Sequence, residues 1–459
     1  MYNIDFNNKE QTVHFIGIGG ISMSGLAELL LSEGFRVTGS DSRHSPLTDK
    51  LSSLGASIKY PQASSNIDDS IDIAVATAAI HKDNPELQEI LRRKIPLLTR
   101  AELLGQIMKQ YDMPIAVSGT HGKTTTTSMI SEILLANDND PTLSIGGMLN
   151  SIGGNFRVGS SELFVTEACE YTNSFLSFFP KIAVILNVDA DHLDFFKDIN
   201  DIRNSFRKFA SLLPDDGTLV INADIPDIDA LISGLKCRIV TFGKNSNAQY
   251  QADNIRFDEF ARPTFTLLHD DSTCDFTLGV PGSHNVYNAM AAIAVSDLLL
   301  VDRTVVKKAL ESFCGTERRF QYKGSFDGVT VIDDYAHHPT EIKATLNAAR
   351  HYPHKTIWCV FQPHTYTRTK ALMEDFAEAL TLADKVVLAD IYAARETDDL
   401  GISSRTLMEA VRRKGTDAYY FPSFEGIEKF LLQNCINGDL LITMGAGDIV
   451  KIGNELLGI

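Results

Sequence analysis

Residues 117–127 read Val-Ser-Gly-Thr-His-Gly-Lys-Thr-Thr-Thr-Thr and constrain the fold more than any other stretch of the chain. The preceding residues 113–117 are mostly apolar and predict a short buried strand, whereas residues 128–136 have the apolar spacing of an amphipathic helix. Strand, glycine-containing loop, Lys-Thr and helix together are typical of a phosphate-binding loop. One departure is Val117, which stands where the usual pattern has its first glycine.

This layout predicts a nucleotide site, with a structural turn as the alternative. Backbone N–H groups and the helix N-terminus would face the phosphates. Lys123 would reach the terminal phosphates, and the Thr124 hydroxyl would bind Mg²⁺. The predicted nucleotide-binding residues are Gly119, Thr120, His121, Gly122, Lys123, Thr124 and Thr125.

Composition narrows the class of protein. A length of 459 residues predicts about three domains, and a net charge of −17 argues against a nucleic-acid or anionic-membrane surface. The N-terminus lacks the pattern of a signal peptide, and no apolar run approaches the roughly 18 residues that span a bilayer. Six scattered cysteines without a Cys-x-x-Cys pair are typical of reduced thiols. We therefore expect a cytoplasmic protein without membrane insertion, either a monomer or a weak homodimer.

Strand-like and helix-like stretches alternate through three segments, which predicts an α/β fold of three domains, each built on a mainly parallel sheet. The expected ranges are residues 1–106, 107–315 and 316–459. The first and third would be Rossmann-like, and the second would resemble a P-loop ATPase. Residues 217–280 have β character interrupted by turns.

The first segment has a glycine-rich turn after its first strand, at Gly17, Gly19, Gly20 and Gly25, with Asp41 about twenty residues further on. This spacing is close to a dinucleotide-binding fingerprint. A glycine turn at a helix N-terminus, however, indicates only that a diphosphate can bind to its backbone N–H groups. NAD and a UDP-sugar both carry a diphosphate. A structural turn that binds no ligand is a further alternative. The second nucleotide loop makes a nicotinamide-dependent oxidoreductase the weaker interpretation.

The second segment places acidic residues after two strands, at residues 167–170 and 189–194. Because the carboxyl ends of parallel strands share one edge of a sheet, Thr124, Glu167 and His192 would converge there on Mg²⁺. A solvated acidic loop is the alternative. Further on, Asn285 and Asn288 open an Ala-rich helix, where they would either contact adenine or cap the helix.

The third segment has two polar clusters, residues 333–340 and 361–369, each between a strand and a helix. Either they place side chains on the functional edge of the sheet, or they only start helices. A zinc site at His337 and His338 is disfavoured, because adjacent side chains diverge and no further ligand spacing appears. Arg318 and Arg319, at the domain junction, would either contact phosphate or form a solvated pair.

Taken in order, these motifs resemble the Mur ligase family over essentially the whole chain. The matching pieces are residues 14–25, 119–124, 167–171, 189–194, 284–288, 318–320, 334–341 and 361–368. Within the family, the last two pieces are most similar to the branch that joins L-alanine to UDP-N-acetylmuramate. The resemblance implies ATP-driven amide formation, in which the muramate carboxylate becomes an acyl phosphate that the amine of L-alanine attacks.

The resemblance also implies roles for individual residues. Thr124, Glu167 and His192 would hold Mg²⁺, and Asn285, Asn288 and Arg319 would contact ATP. Lys123, Tyr335, His337, His364 and Arg368 would form the catalytic set, with His337 as the base to test for the amine. The UDP-sugar would contact Gly17, Gly19, Gly20, Ser24, Gly25, Asp41 and Glu170.

One feature departs from the family pattern, and close relatives remain as alternatives. Some family members carry a carbamoylated lysine after the Asp-His motif, but here the candidates are Arg207 and Lys208, and we assign that role to neither. The alternatives are a family member that adds a recovered peptide or another amino acid, and a folylpolyglutamate synthase. The latter has no reason to keep the first glycine-rich turn.

Overall fold

The computed structural model describes residues 2–77, 79–193, 195–244, 247–270, 272–394, 396–397 and 400–459. Asp194, in the acidic motif of the second segment, lies outside the described residues. Three sheets follow one another along the chain, which confirms the predicted α/β class. Across the described residues, no helix combines the length and apolar character that crossing a bilayer requires.

The first sheet is entirely parallel, with the strand order β3-β2-β1-β4-β5 of a Rossmann-like domain. Its strands are β1 (Thr12–Ile16), β2 (Arg36–Ser40), β3 (Ser57–Lys59), β4 (Ile73–Ala76) and β5 (Leu97–Thr99). Its helices are α1 (Ile21–Ser32), α2 (Pro46–Ser53), α3 (Pro85–Arg93) and α4 (Arg100–Met108), with a 3₁₀ turn at Ser64–Asn66. The glycine-rich turn joins β1 to α1, as predicted.

The middle sheet has ten strands in the order β15-β14-β13-β12-β11-β10-β6-β9-β7-β8. Its strands are β6 (Met113–Ser118), β7 (Thr142–Leu149), β8 (Gly154–Arg157), β9 (Leu163–Ala168), β10 (Ile182–Ile185), β11 (Thr218–Asn222), β12 (Arg238–Gly243), β13 (Tyr250–Phe257), β14 (Pro263–His269) and β15 (Ser272–Thr277). Its helices are α5 (Lys123–Ala136), α6 (Ile199–Ala210), α7 (Ile228–Ile232), α8 (His284–Leu298) and α9 (Arg303–Ser312), with 3₁₀ turns at Asn150–Ile152 and Tyr171–Ser177. The centre is parallel, and β13–β15 and β7–β8 pair antiparallel.

The third sheet has the order β16-β17-β21-β18-β19-β20 and is parallel except for the β16–β17 hairpin. Its strands are β16 (Gln321–Phe326), β17 (Val329–Asp334), β18 (Ile357–Phe361), β19 (Lys385–Leu388), β20 (Asp417–Tyr420) and β21 (Leu440–Met444). Its helices are α10 (Pro339–Ala349), α11 (Tyr366–Ala371), α12 (Met373–Leu380), α13 (Ser404–Arg413), α14 (Phe424–Asn434) and α15 (Val450–Leu457).

Helix α4 links the first two sheets. A side chain at Gly105 would meet the carbonyl of Ser177 at 1.8 Å, so this helix packs directly on the 3₁₀ turn of the middle region. Leu103 and Leu104 are buried in one continuous core with Phe175 and Phe178. Each sheet lies within one of the ranges 1–106, 107–315 and 316–459, which we keep as proposed domains, although residue 106 falls inside α4.

Candidate active site

The predicted phosphate loop lies between β6 and α5, which begins at Lys123. Gly119 and Gly122 have φ of 142° and 85°, a region that favours glycine. Within the described chain, no side chain caps the N-terminus of α5 and no acidic residue stands in its first turn. The backbone N–H groups at this end are therefore available to an anion, and the helix dipole favours one.

Lys123 is largely buried beneath the loop. Its ammonium group donates to the carbonyls of Gly119 at 2.6 Å and Thr120 at 3.0 Å, and to a carboxylate oxygen of Glu170 at 3.0 Å. Burial would lower the pKa of Lys123, but the carboxylate of Glu170 outweighs burial and the pKa lies above its ordinary value. Lys123 is thus a protonated cation that Glu170 holds in place beneath the loop.

Glu170, which the sequence assigns to the UDP-sugar, is almost fully buried against Lys123 in the middle domain. Its contact with the UDP-sugar stays a prediction. Its second carboxylate oxygen, Oε1, is buried without a hydrogen-bond partner among the described residues and lies 3.8 Å from His192 Nε2. A buried carboxylate oxygen without a partner indicates that a cation or a hydrogen-bond donor binds at this position.

The three predicted magnesium ligands, Thr124, Glu167 and His192, line one cavity of about 210 Å³ together with the phosphate loop. Glu167 is held in place by the N–H of Gly146, which donates to it at 2.6 Å. The Thr124 hydroxyl and the Glu167 carboxylate are oxygen donors of the kind that Mg²⁺ prefers, whereas the His192 imidazole is a less usual ligand for this ion. Burial lowers the pKa of His192, which keeps its imidazole available as a ligand.

A larger cavity of about 370 Å³ opens beside the phosphate loop, between the middle and third domains. Asn285 and Asn288 both line it. Asn285 donates to Pro281 O at 2.7 Å and Asn288 to Asn285 Oδ1 at 2.8 Å, whereas no side chain makes the cap hydrogen bond of α8 within the described residues. The capping alternative is therefore wrong for both asparagines. Arg319 lines this cavity and the smaller one.

The two polar clusters of the third domain come together, as the sequence predicted for the catalytic set. The rings of Tyr335 and His337 lie 5.5 Å apart, and those of His337 and His364 lie 5.8 Å apart. Arg368 donates to His364 Nδ1 at 3.2 Å. Burial lowers the pKa of His337 and of His364 to about 4, so both imidazoles are neutral at neutral pH.

The tautomer of His337 follows from its contact with the backbone. Nδ1 lies 3.0 Å from the carbonyl oxygen of Tyr335, which can only accept, so Nδ1 carries the proton. Nε2 is then the ring atom with a free lone pair. The geometry leaves His337 able to accept a proton through Nε2, as a weak base because of its low pKa.

Several contacts cross from the middle domain to this cluster. Arg368 Nε donates to Asp191 at 3.1 Å, and Thr340 donates to Asp189 at 2.7 Å. Burial would raise the pKa of Asp191, but the charge of Arg368 holds it well below its ordinary value. The third domain thus lies closed on the acidic motif of the middle domain.

His121, Asp189 and His338 place side-chain ligand atoms within 4.8 Å of one another. Each already has a protein partner: His338 lies 3.1 Å from Ala190 O and accepts from Thr340 N–H, and His121 lies 3.4 Å from Asp189. The three side chains form a polar interface between the two domains, in which His121 Nε2 is buried without a hydrogen-bond partner among the described residues.

In the first domain, the glycine turn and Asp41, both predicted to contact the UDP-sugar, lie in direct contact with each other. The N–H of Gly19 donates to Asp41 Oδ2 at 2.8 Å, and a side chain at Gly19 would collide with the same carboxylate at 2.9 Å. Gly17, with φ of 77°, donates to Ser40 O at 2.9 Å. Gly20 is the exposed N-cap of α1, which lacks a side-chain cap within the described residues. This end of α1 therefore resembles an anion site.

The structure gives Ser24 and Gly25 neighbours that differ from the expected UDP-sugar. The hydroxyl of Ser24 donates to Ile21 O at 3.0 Å within α1. A side chain at Gly25 would meet the ring of Phe156 at 2.4 Å, so this glycine allows α1 to pack on β8 of the middle domain. The domain contact accounts for the small residue at position 25. The contacts of Ser24 and Gly25 with the UDP-sugar stay predictions.

Sequence reasoning missed several residues of the site. Asn187 holds the phosphate loop through three hydrogen bonds: its side-chain oxygen accepts from His121 N at 2.8 Å, its amide donates to His121 O at 3.0 Å, and its carbonyl accepts from Thr120 N at 3.2 Å. Asp191 and Glu341 also line the smaller cavity. Their positions within the motifs were visible in the sequence, but their partners are distant in the chain.

Models of one protein family match all three domains of the chain. Residues 12–112 match the Mur ligase family catalytic domain, residues 117–296 the Mur ligase middle domain, and residues 318–447 the Mur ligase glutamate ligase domain. The chain is 60% identical to the UDP-N-acetylmuramate–L-alanine ligase of Lachnospira eligens and 58% identical to that of Agathobacter rectalis, with 100% of both proteins covered in each case.

Solved structures of related ligases also resemble this chain. The chain superposes on UDP-N-acetylmuramate-alanine ligase MurC from Thermotoga maritima with a TM-score of 0.81 at 31% identity, covering 97% of this chain and 98% of that chain. A murein peptide ligase from Psychrobacter arcticus gives a TM-score of 0.69 at 25% identity, with 98% of each chain covered.

Proposed function

This chain belongs to the Mur ligase family, and we propose that it joins L-alanine to the lactyl carboxylate of UDP-N-acetylmuramate in an ATP-dependent reaction of peptidoglycan precursor synthesis. The observation that carries the proposal is the pair of adjoining cavities, which share His121, Arg319 and Glu341. They connect the phosphate loop with the histidine cluster of the third domain. An amide ligase needs such a junction, because one carboxyl group is phosphorylated at its oxygen and then attacked by the amine at its carbon.

In the first step, a carboxylate oxygen of the muramate forms a bond to the γ-phosphorus, and the bond from that phosphorus to ADP breaks. Two anions must approach each other, so positive charge has to be present beforehand. We assign this role to Lys123, together with the N–H groups at the start of α5. Thr124, Glu167 and His192 would hold Mg²⁺, which supplies further charge neutralisation when bound.

In the second step, the amine nitrogen of L-alanine attacks the carbonyl carbon of the acyl phosphate. A tetrahedral intermediate forms, and phosphate leaves with the former carboxylate oxygen. The ammonium group must lose a proton before or during attack, and we assign its acceptance to Nε2 of His337. Arg368, which Asp191 holds in place, would orient the carboxylate of the amino acid.

Closure of the third domain is part of this proposal, because an acyl phosphate hydrolyses in water. The contacts from Arg368 to Asp191 and from Thr340 to Asp189 support a closed arrangement around the junction of the cavities. The stretch from Gly315 to Arg319, between α9 and β16, is the proposed hinge. The cytoplasmic location and the monomeric or weakly dimeric state stay predictions.

The experiment that tests the function is ADP release, measured by a coupled assay with each substrate omitted in turn. We expect release only when UDP-N-acetylmuramate and L-alanine are both present. Preference for a tripeptide over L-alanine would instead favour the peptide-adding branch, whose structural relative is more distant at 25% identity. Fluorescence enhancement of NADH on binding, without ADP release, would favour the oxidoreductase alternative.

A further inference from the structure

One carboxylate, that of Glu341 at the start of α10, contacts both halves of the site. Its Oε1 lies 3.3 Å from His121 Nδ1 in the phosphate loop. Its Oε2 accepts from the backbone N–H of His337 at 3.0 Å and from that of His338 at 3.3 Å. The same side chain therefore connects the nucleotide loop to the segment that carries the proposed base.

The partner on the other side, His121, is held rigidly in the loop. Asn187 fixes its backbone on both the N–H and the carbonyl side. Its second ring nitrogen lies 3.4 Å from Asp189, so carboxylates flank the ring on two sides. Burial lowers the pKa of His121, but Asp189 and Glu341 outweigh burial and raise the pKa to about 9. His121 is thus a cation at neutral pH.

Capping of α10 accounts for only half of the Glu341 contacts. As the third residue of the helix, it accepts backbone N–H groups in a capping box. That function uses Oε2 and needs no partner in another domain. The contact of Oε1 with His121 crosses between domains, and the side chains are only 16% and 13% exposed. Burying two charges carries a desolvation cost, and such pairs are best attested where they fix a register.

We propose that Glu341 and His121 are positioning residues, which set His337 against the phosphate loop when the third domain closes. The inference rests on the proposed function and deepens it, because it names the link between activation and amine attack. Loss of the link leaves each half of the site intact but misplaces one relative to the other. A misplacement of about 1 Å can slow an enzymatic reaction by roughly 10²-fold.

Glu341→Gln separates the two roles. The amide oxygen still accepts the backbone N–H groups, so the cap is kept, whereas the charge facing His121 is lost. We expect turnover to fall by about 10- to 100-fold, with the KM for UDP-N-acetylmuramate changed by less than about threefold. His121→Gln should give a similar loss from the other side of the contact. The matched control is Glu378→Gln, which removes a carboxylate that contacts the same helix at Lys343 on its exposed face.

The decisive measurement is the double variant. If the two residues act through one contact, Glu341→Gln combined with His121→Gln should be no slower than the slower single variant. Small-angle scattering with a non-hydrolysable ATP analogue and UDP-N-acetylmuramate should show a less compact particle for each variant than for the wild type. Thermal unfolding confirms that the variants are folded.

Two results would overturn the inference. One is a wild-type turnover in Glu341→Gln, which would leave only the helix cap. The other is a multiplicative loss in the double variant, which would mean that the two residues act independently. Absence of activity in the wild type with both substrates would instead contradict the proposed function, so the two failures can be told apart.

Discussion

The chain contains two glycine turns of the same local design, each joining a parallel strand to a helix N-terminus, but they present opposite charges. In the first turn, a carboxylate at Asp41 accepts from the N–H of Gly19 at 2.8 Å. In the phosphate loop, the ammonium group of Lys123 donates to the carbonyls of Gly119 and Thr120. The two turns therefore share a backbone design, but a carboxylate contacts the first and an ammonium group contacts the second.

The two regions also differ in how many segments complete them. The first turn and its acid directly follow two neighbouring strands of one sheet, β1 and β2. The phosphate loop is contacted by Glu170, which follows β9, by Asn187, which follows β10, and by Glu341 of the third domain. A first-domain variant should therefore affect one substrate, whereas a variant in the loop should stop the reaction as a whole.

Lys123→Ala, in the phosphate loop, should have the largest effect on turnover. We expect turnover to fall by more than about 10³-fold, because a preorganised charge at the transferring phosphoryl group is lost. Binding of UDP-N-acetylmuramate, measured by calorimetry, should stay within a few-fold of the wild type. Lys181→Ala, which removes a lysine paired with Asp216 at the domain surface, is the control. Normal ADP production by Lys123→Ala would remove the loop from the nucleotide site.

Glu167→Gln and His192→Ala test the metal part of the same region. Each should slow turnover by on the order of 10²-fold and shift the Mg²⁺ titration to higher concentration, since one electrostatic contact is lost. Glu162→Gln, at an exposed position just before β9, serves as the control. Unchanged Mg²⁺ curves in both variants would exclude these residues as ligands.

Asp41→Asn is the corresponding test of the first region. A hydrogen bond to a charged group contributes roughly 1.5–3 kcal/mol, so we expect the KM for UDP-N-acetylmuramate to rise by about 10- to 100-fold. The KM for ATP should not change, and Asp49→Asn, at an exposed site on α2, should behave like the wild type. An equal rise in both KM values would contradict the separation of the two regions.

Gly25→Ala should have the smallest effect, on stability instead of catalysis. The new methyl group would meet the Phe156 ring, and overpacking of this kind costs about 1–3 kcal/mol. We expect a melting temperature lower by a few degrees and turnover within about threefold of the wild type. Gly154→Ala, whose nearest neighbours lie at 3.9 Å, is the matched control. A selective loss of UDP-sugar binding would return Gly25 to the substrate site.

The strands, the two turns and the order of the domains followed from the sequence, because alternation, apolar periodicity and glycine punctuation are local signals. The helix that the sequence predicts after the phosphate loop is α5, which begins at Lys123. The convergence of Thr124, Glu167 and His192 also followed, because the carboxyl ends of parallel strands meet at one edge of a sheet.

What the sequence did not reveal depends on partners far apart in the chain. Glu341 fits a helix start so well that its residue type needs no further explanation, and only the fold brings it to His121, 220 positions away. Gly25 fits a glycine fingerprint, and only the packing of two domains shows its contact with Phe156. The contact of Glu170 with Lys123, 47 positions away in the chain, likewise depends on the fold.

The route through an acyl phosphate can be followed with labelled oxygen. UDP-N-acetylmuramate carrying ¹⁸O in its lactyl carboxylate should be incubated with ATP, Mg²⁺ and L-alanine, and the products analysed by mass spectrometry. We expect a product that has gained one alanyl residue and lost one of the two lactyl ¹⁸O atoms, and inorganic phosphate that carries one ¹⁸O atom per amide formed. Unlabelled phosphate, or no amide product when both substrates and ATP are present, would contradict the acyl-phosphate route.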